Sequence, residues 1–216
     1  MPSPELWSEP PRDCPLCPRL VSYRDENRAA HPDWWNGPAP SFGDPNARLL
    51  VVGLAPGRTG ANRTGRPFTG DFAGVLLYQT LIKTGFARGT YDARPDDGLT
   101  LVDCMISNAV RCAPPGNKPE TGEEAACRPF LAARIAALPR LRVIVTLGDV
   151  ARRNVLRALG LKASAGAAGH GARCDAGPYV LINSYHCSRL NTNTGRLTPA
   201  MFEAIFETAH DLLGAG

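Results

Sequence analysis

Residues 48–71 read RLLVVGLAPGRTGANRTGRPFTGD. The opening RLLVVGL is a short apolar run rich in β-branched residues, bounded by glycine and proline, the pattern of a buried strand. A loop carrying Gly53, Gly57, Gly60 and Gly65 follows, and Asp71, a residue type that caps helices, closes it. Beyond it, residues 71–85 place Val75, Leu76, Tyr78, Leu81 and Ile82 at roughly helical spacing. Three further runs resemble the first: LVDCMISNAV at 101–110, RVIVTL at 142–147 and YVLIN at 179–183. Helical stretches lie between or after them. Residues 121–138 are Ala-rich, with Thr121 as the expected N-cap and Glu123 and Glu124 in the first turn. Residues 149–160 and 199–213 are the others, the second opening on Thr198 and Pro199. Four strands alternating with helices predict an α/β fold with a mainly parallel sheet.

In such sheets ligands bind beyond the carboxyl ends of the strands. The segments there are polar and glycine-rich: 53–71, then RCAPPGNKP at 111–119, then SYHCSRLNTNTGRLT at 184–198. Three elaborate loops on one sheet edge predict a single site. Residues 24–46, with three aromatics and four prolines, read as an irregular ordered segment, and residues 1–13 as an irregular N-terminal tail.

The chain has 216 residues, which predicts one domain spanning 1–216. Hydrophobic content of 44% and charged content of 20% exclude disorder, collagen and coiled coil as descriptions of the whole. Residues 1–11 hold Glu5, Glu9 and four prolines, unlike a secretory signal. No apolar run approaches the ~18 residues of a membrane-spanning helix. A cytoplasmic, nucleoid-associated protein is expected. The net charge is only +4, but its placement is uneven. Residues 54–70 hold Arg58, Arg63 and Arg66 and no acid, and residues 150–202 hold seven basic residues against Asp175 alone. That asymmetry suits a polyanionic partner. Three of the 24 basic residues are lysine (Lys83, Lys118, Lys162) and the rest arginine, a bias that a GC-rich genome also produces.

An odd total of seven cysteines in a reducing compartment argues against complete disulfide pairing. Cys14 and Cys17 form a C-x2-C pair, and Cys112 and Cys127 a wider one. Four thiolates hold either a structural zinc ion or an iron–sulfur cluster, and spacing does not choose between them. Cys104 lies inside a strand as expected core, and Cys174 has no evident partner. The first loop lacks both the Gly-Lys-Ser/Thr of a P-loop and G-x-G-x-x-G, yet its glycines allow close approach to a nucleotide backbone. Phe68 reads as a stacking surface or a core plug, and Asp71 as a cap or a carboxylate aimed at the cleft. His186 reads as an acid, base or anion stabiliser. A Cys187–His186 nucleophile pair is disfavoured, because neighbours on extended chain point to opposite faces. The small donors at 189–196 suit phosphate contacts.

GLAPG…NRTGRPFTGD, AVRCAPPGNKP and SYHCSRLNTNTGRLT, with CPLCPRL at the N-terminus, together resemble the uracil-DNA glycosylase superfamily and, within its iron–sulfur branches, the type-5 enzymes. The resemblance runs from about residue 14 to 213. It implies a three-layer α/β/α sandwich around a four-stranded mainly parallel sheet. It implies that Cys14, Cys17, Cys112 and Cys127 ligate a structural [4Fe–4S] cluster. Phe68 would stack on the extruded base, with Gly53, Leu54 and Asn108 completing the uracil pocket. Asp71, Asn117 and His186 would carry catalysis. Gly57, Asn62, Arg63, Arg189, Asn191, Thr194 and Arg196 would contact DNA. Two residues depart from the type-5 pattern. Asn108 stands where a small residue is expected, and its amide suits uracil over cytosine. Cys187 stands where the superfamily often has proline. The implied activity is monofunctional removal of uracil, or of other deaminated bases such as hypoxanthine or xanthine, leaving an abasic site in base-excision repair. Single- or double-stranded uracil-containing DNA is the expected partner, no membrane is involved, and a monomer is expected. A nucleobase deaminase is excluded by the lack of H-x-E. The non-enzyme alternative is a zinc-stabilised DNA-binding module.

Overall fold

The computed structural model describes residues 9–166 and 168–214. In chain order the elements are α1 (Pro18–Ala30), β1 (Phe42–Gly43), β2 (Leu49–Gly53), α2 (Ala61–Thr64), α3 (Phe72–Lys83), β3 (Ala87–Arg88), β4 (Thr100–Leu101) and β5 (Cys104–Asn108). A 3₁₀ turn (Pro115–Asn117) follows, then α4 (Thr121–Ala136), β6 (Val143–Leu147), α5 (Asp149–Ala158), β7 (Arg173–Ala176), β8 (Tyr179–Ser184), α6 (Arg189–Asn193) and α7 (Pro199–Gly214).

The main sheet has the order β1-β5-β2-β6-β8-β7. Its four central strands are mutually parallel and are the four expected from the apolar runs. The sheet nevertheless has six strands, not four, because β1 and β7 add antiparallel edges. β1 is two residues long and β7 is mostly solvent-facing, so neither carries a buried-strand pattern. Strand residues alternate between two apolar layers, as period-2 geometry requires. Leu49, Val51, Ile106 and Val145 face Leu77 and Leu81 of α3 and Phe202 and Phe206 of α7. Leu50, Val52, Met105 and Ile144 face Leu131 and Ile135 of α4 and Val155 of α5. Helices, sheet and helices form the three expected layers, and each fully buried Leu, Val or Ile contributes roughly 1.5–3 kcal/mol.

Three local expectations are corrected. The run at 101–110 is not one strand. Asp103 turns the chain with φ 52°, and Leu101 pairs with Ala87 in a separate two-stranded ribbon. Residues 24–30, expected to be irregular, belong to α1, which buries Leu20 but also the polar Arg24 and Asn27 and so lacks an apolar stripe. The cap of α4 is Glu120, with Thr121 inside the helix, and the Glu123 carboxylate accepts from Glu120 N at 2.7 Å. Of the expected irregular tail, residues 1–8 lie outside the described residues and residues 9–13 form no helix or strand; Glu9 pairs with buried Arg111 at 2.9 Å and with Arg134 at 2.8 Å. The expected cap of α7 is present, with Thr198 Oγ1 accepting from Met201 N at 3.2 Å. Among the described residues no helix is long and apolar enough to cross a membrane.

Candidate active site

The loops after β2, β5 and β8 converge on a cavity of about 430 Å³ at the carboxyl edge of the sheet. Asp71, Asn117, His186, Leu54, Phe68, Asn108, Gly57 and Arg189 all line it. Asp71 both caps and points inward: its carboxylate accepts from Gly74 N at 2.9 Å. Its second oxygen lies against the glycine loop, where a Cβ on Gly60 would come within 2.5 Å of it. Burial pushes the Asp71 carboxyl above its ordinary range, against the lowering effect of hydrogen bonds from Gly74 and Ala73. Asn117 adopts φ 57° at the end of the 3₁₀ turn, a conformation asparagine tolerates, and stands at the exposed rim.

Phe68 and His186 form one wall, with ring centroids 6.2 Å apart. Burial lowers the His186 imidazole pKa, which favours the neutral ring at pH 7. Asn191 Nδ2 donates to His186 O at 2.8 Å and steadies that loop. Cys187 turns its side chain fully into the apolar core. At the inner end Asn108 is 2% exposed, and its Oδ1 has no hydrogen-bond partner. Gly53 sits behind this wall, where a Cβ would come within 2.5 Å of both Asn108 Oδ1 and the Phe68 ring. Glycine is therefore needed there for the two side chains to lie flush.

The expected DNA contacts separate. Arg189 stands at the mouth with its guanidinium 5.0 Å above the Phe72 ring. Arg63, Thr194 and Arg196 are exposed. Arg196 lies 4.5 Å above the Tyr185 ring and borders a second opening that it shares with Asn191 and His186. Asn62 is the exception. It is 3% exposed and its amide donates to Asn36 Oδ1 at 3.0 Å, so it ties the loop to the segment before β1 and does not face the cavity. Two residues near the mouth were missed, of which Arg58 lines the cavity and Leu190 does not. Arg58 was counted only as charge, yet it reaches the cavity while bonded to Asn27 Oδ1 at 2.8 Å. Leu190, 73% exposed beside Arg189, was legible as the one large apolar residue among the donors at 189–196.

Cys14, Cys17, Cys112 and Cys127 line a second, apolar cavity with Leu20, Val110 and Phe130. Burial pushes the Cys112 thiol up to about 12 and the Cys127 thiol up to about 11. Cys127 Sγ accepts from Arg111 N at 3.3 Å. Arg24 borders the cavity at 6% exposure, and its Nε is buried without a hydrogen-bond partner. A buried cation beside four thiols fits a negatively charged thiolate-ligated group. Among the described residues no group of three or more His, Cys, Asp or Glu side chains is drawn together as metal ligands.

The model of the uracil DNA glycosylase superfamily matches residues 40–210, which contain every residue lining the cavity at the carboxyl edge of the sheet. The chain belongs to this superfamily. Among superfamily members it is similar to the type-5 uracil-DNA glycosylase of Thermus thermophilus, with 45% identity over 207 residues covering 93% of this chain and 94% of that protein. The type-5 uracil-DNA glycosylase of Pyrobaculum aerophilum is 43% identical over 86% of this chain and 83% of its own length. The type-4 uracil-DNA glycosylase of the same organism is 31% identical over 70% of this chain and 64% of its own length.

Proposed function

We propose that the protein is a uracil-DNA glycosylase that hydrolyses the N-glycosidic bond of deoxyuridine in DNA and leaves an abasic site for base-excision repair. The observation that carries this reading is the cavity with an aromatic wall at Phe68 and the unpartnered amide oxygen of Asn108 buried at its inner end. The target nucleotide swings out of the stack. Leu190 is the apolar wedge that fills the space left behind. Phe68 stacks on the base, and Asn108 Oδ1 accepts from the uracil N3–H while its NH2 donates to a carbonyl. Cytosine, with no N3–H, leaves that buried oxygen unpaired. Hypoxanthine and xanthine also present a ring N–H beside a carbonyl, so what the Asn108 amide discriminates is uracil from cytosine.

As the glycosidic bond breaks, its electron pair passes to the uracil ring and positive charge develops on the sugar. His186, neutral at pH 7, donates a hydrogen bond to the uracil anion. One such donor is typically worth about 10²–10³ in rate. The Asp71 carboxylate stabilises the sugar cation and orients a water that adds at C1′, with Asn117 as a further polar partner at the rim. The water's hydroxyl ends on the sugar and its proton on uracil. Lys118 is the only lysine in the three loops and does not line the cavity, so no amine is placed for a Schiff base and the reaction stops at the abasic site.

We further infer that Cys14, Cys17, Cys112 and Cys127 hold a [4Fe–4S] cluster, supported by the shared cavity and the Arg24 cation. That group would be structural, tying the N-terminal segment to β5 and α4. One copy of the chain supplies the whole base cavity, which supports a monomer acting on the cell's DNA. The reading is tested by measuring uracil release from single- and double-stranded oligonucleotides, with iron and sulfide analysis of the same preparation. Release of free uracil is expected, with a large loss in His186→Ala. Iron-loaded protein that frees no base overturns the glycosylase reading, and zinc without iron overturns the cluster.

A further inference from the structure

Phe68 is the only bulky side chain in the base cavity with a left-handed backbone, at φ 54°. A large aromatic residue pays steric strain there and stays only where its surroundings hold it. Those surroundings come from residues 91–97, between β3 and β4, outside all three cavity loops. Tyr91 Oη donates to Phe68 O at 3.0 Å and lies 3.4 Å from Gly70 N, gripping the peptides on both sides of the turn. The Tyr91 ring stacks on Tyr78 at 4.6 Å, and Tyr78 Oη donates to Pro67 O at 2.6 Å. Beneath them Arg66 makes a two-pronged bond to Asp97 at 2.8 and 2.7 Å, with side chains only 5% and 0% exposed. Arg66 Nε also donates to Thr69 Oγ1 at 2.7 Å. Asp97 in turn accepts from Asp92 N at 3.0 Å and Leu99 N at 3.1 Å, folding back the segment that carries Tyr91.

We propose that Tyr91 and Asp97 are positioning residues that clamp Phe68 in its left-handed conformation, so that its ring stands against Gly53 and Asn108 before the base arrives. This rests on the glycosylase reading. Tyr91 holds the Phe68 carbonyl, Asp97 holds Arg66 and the Tyr91 loop, and neither lines the cavity. Without the clamp Phe68 relaxes toward negative φ and its ring leaves the wall, so the cost falls on the chemical step rather than on DNA binding.

Tyr91→Phe removes the hydroxyl and keeps the ring stack. Its single-turnover excision rate at saturating DNA is expected to fall about tenfold or more, as small misplacements near a reacting centre do. Affinity for abasic-site DNA and the melting temperature should stay near those of the parent. Asp97→Asn should act in the same direction. The deciding measurement repeats Tyr91→Phe in a Phe68→Leu background, where a clamp acting through Phe68 leaves little further loss. An equal loss in both backgrounds, or none in either, overturns the proposal. A 4-fluorophenylalanine label at position 68 reads the same point by fluorine NMR without catalysis. One sharp line that shifts or broadens in Tyr91→Phe supports the clamp, and an unchanged line overturns it. If the parent releases no uracil, the glycosylase reading fails on its own, and the fluorine spectrum still decides the clamp.

Discussion

Asp71 holds two tasks that pull its chemistry in opposite directions. It caps α3 through Gly74 N, and it sits against Gly60 with little water, so burial raises its pKa above the ordinary carboxylate value. Only the charged form can stabilise the sugar cation. Excision is therefore expected to fall on acidification at a higher pH than a free carboxylate would show, and single-turnover rates measured across pH check it. Asp71→Asn should remove that acid limb together with about 10²-fold or more of the rate. Because the raised pKa means the native state favours the protonated carboxyl, the charged form weakens folding above the unfolded pKa. Asn also caps helices, so the same variant should melt at a higher temperature at neutral pH. The unpaired Oδ1 of Asn108 makes the second residue-scale prediction. Asn108→Ala should lower uracil excision and shrink the preference for uracil over cytosine by about tenfold or more, as loss of one buried hydrogen bond does. An unchanged uracil-to-cytosine ratio counts against the edge-reading role.

At the level of elements, α3 shows how a helix start serves the site. Gly74 lies in its first turn, where alanine would ordinarily favour the helix by about 1 kcal/mol. Here a Cβ would collide with the Phe68 carbonyl oxygen and come within 2.6 Å of Tyr91 Oη. The collision is with backbone that cannot swing away, so it outweighs propensity. Gly74→Ala should therefore lower the melting temperature and the excision rate together, measured by thermal unfolding and single-turnover assay. A rise in stability would mean the Phe68 turn is softer than its contacts imply. Helix α1 illustrates the opposite balance. It has little apolar stripe, and its place is set by polar contacts such as Arg19 to Glu123 at 2.8 Å and Arg58 to Asn27 at 2.8 Å.

Across the whole molecule, the cysteine cavity and the base cavity are separate but adjoining. Ala55 packs against the first and lines the second. A structural group in the cysteine cavity would join residues more than a hundred positions apart, from Cys14 to Cys127. Cys14→Ala should lose absorbance near 400 nm and bound iron and should unfold at a lower temperature. The excision rate per folded molecule should change little, because no thiol lines the base cavity. If colour and iron are lost while melting is unchanged, the group has no structural role.

The four apolar runs and the helical stretches beside them were enough to determine the parallel centre of the sheet and its alternation with helices, because period-2 and helical burial are properties of short stretches, whereas helices on both faces were implied only by the family resemblance. They also placed the three polar loops on one edge; that Asp71 and Phe68 serve the site beside His186 was implied only by the resemblance, since locally Asp71 reads as a cap and Phe68 equally as a core plug. Local pattern could not supply what depends on partners far along the chain. Asn62 looked like a DNA contact until Asn36 gave its amide a buried partner. The edge strands β1 and β7 exist because a neighbouring strand offers them hydrogen bonds. Tyr91 and Asp97 carry no motif, and only folding brings them beneath Phe68 and Arg66, where close packing and low water content give their bonds the strength to hold a strained turn.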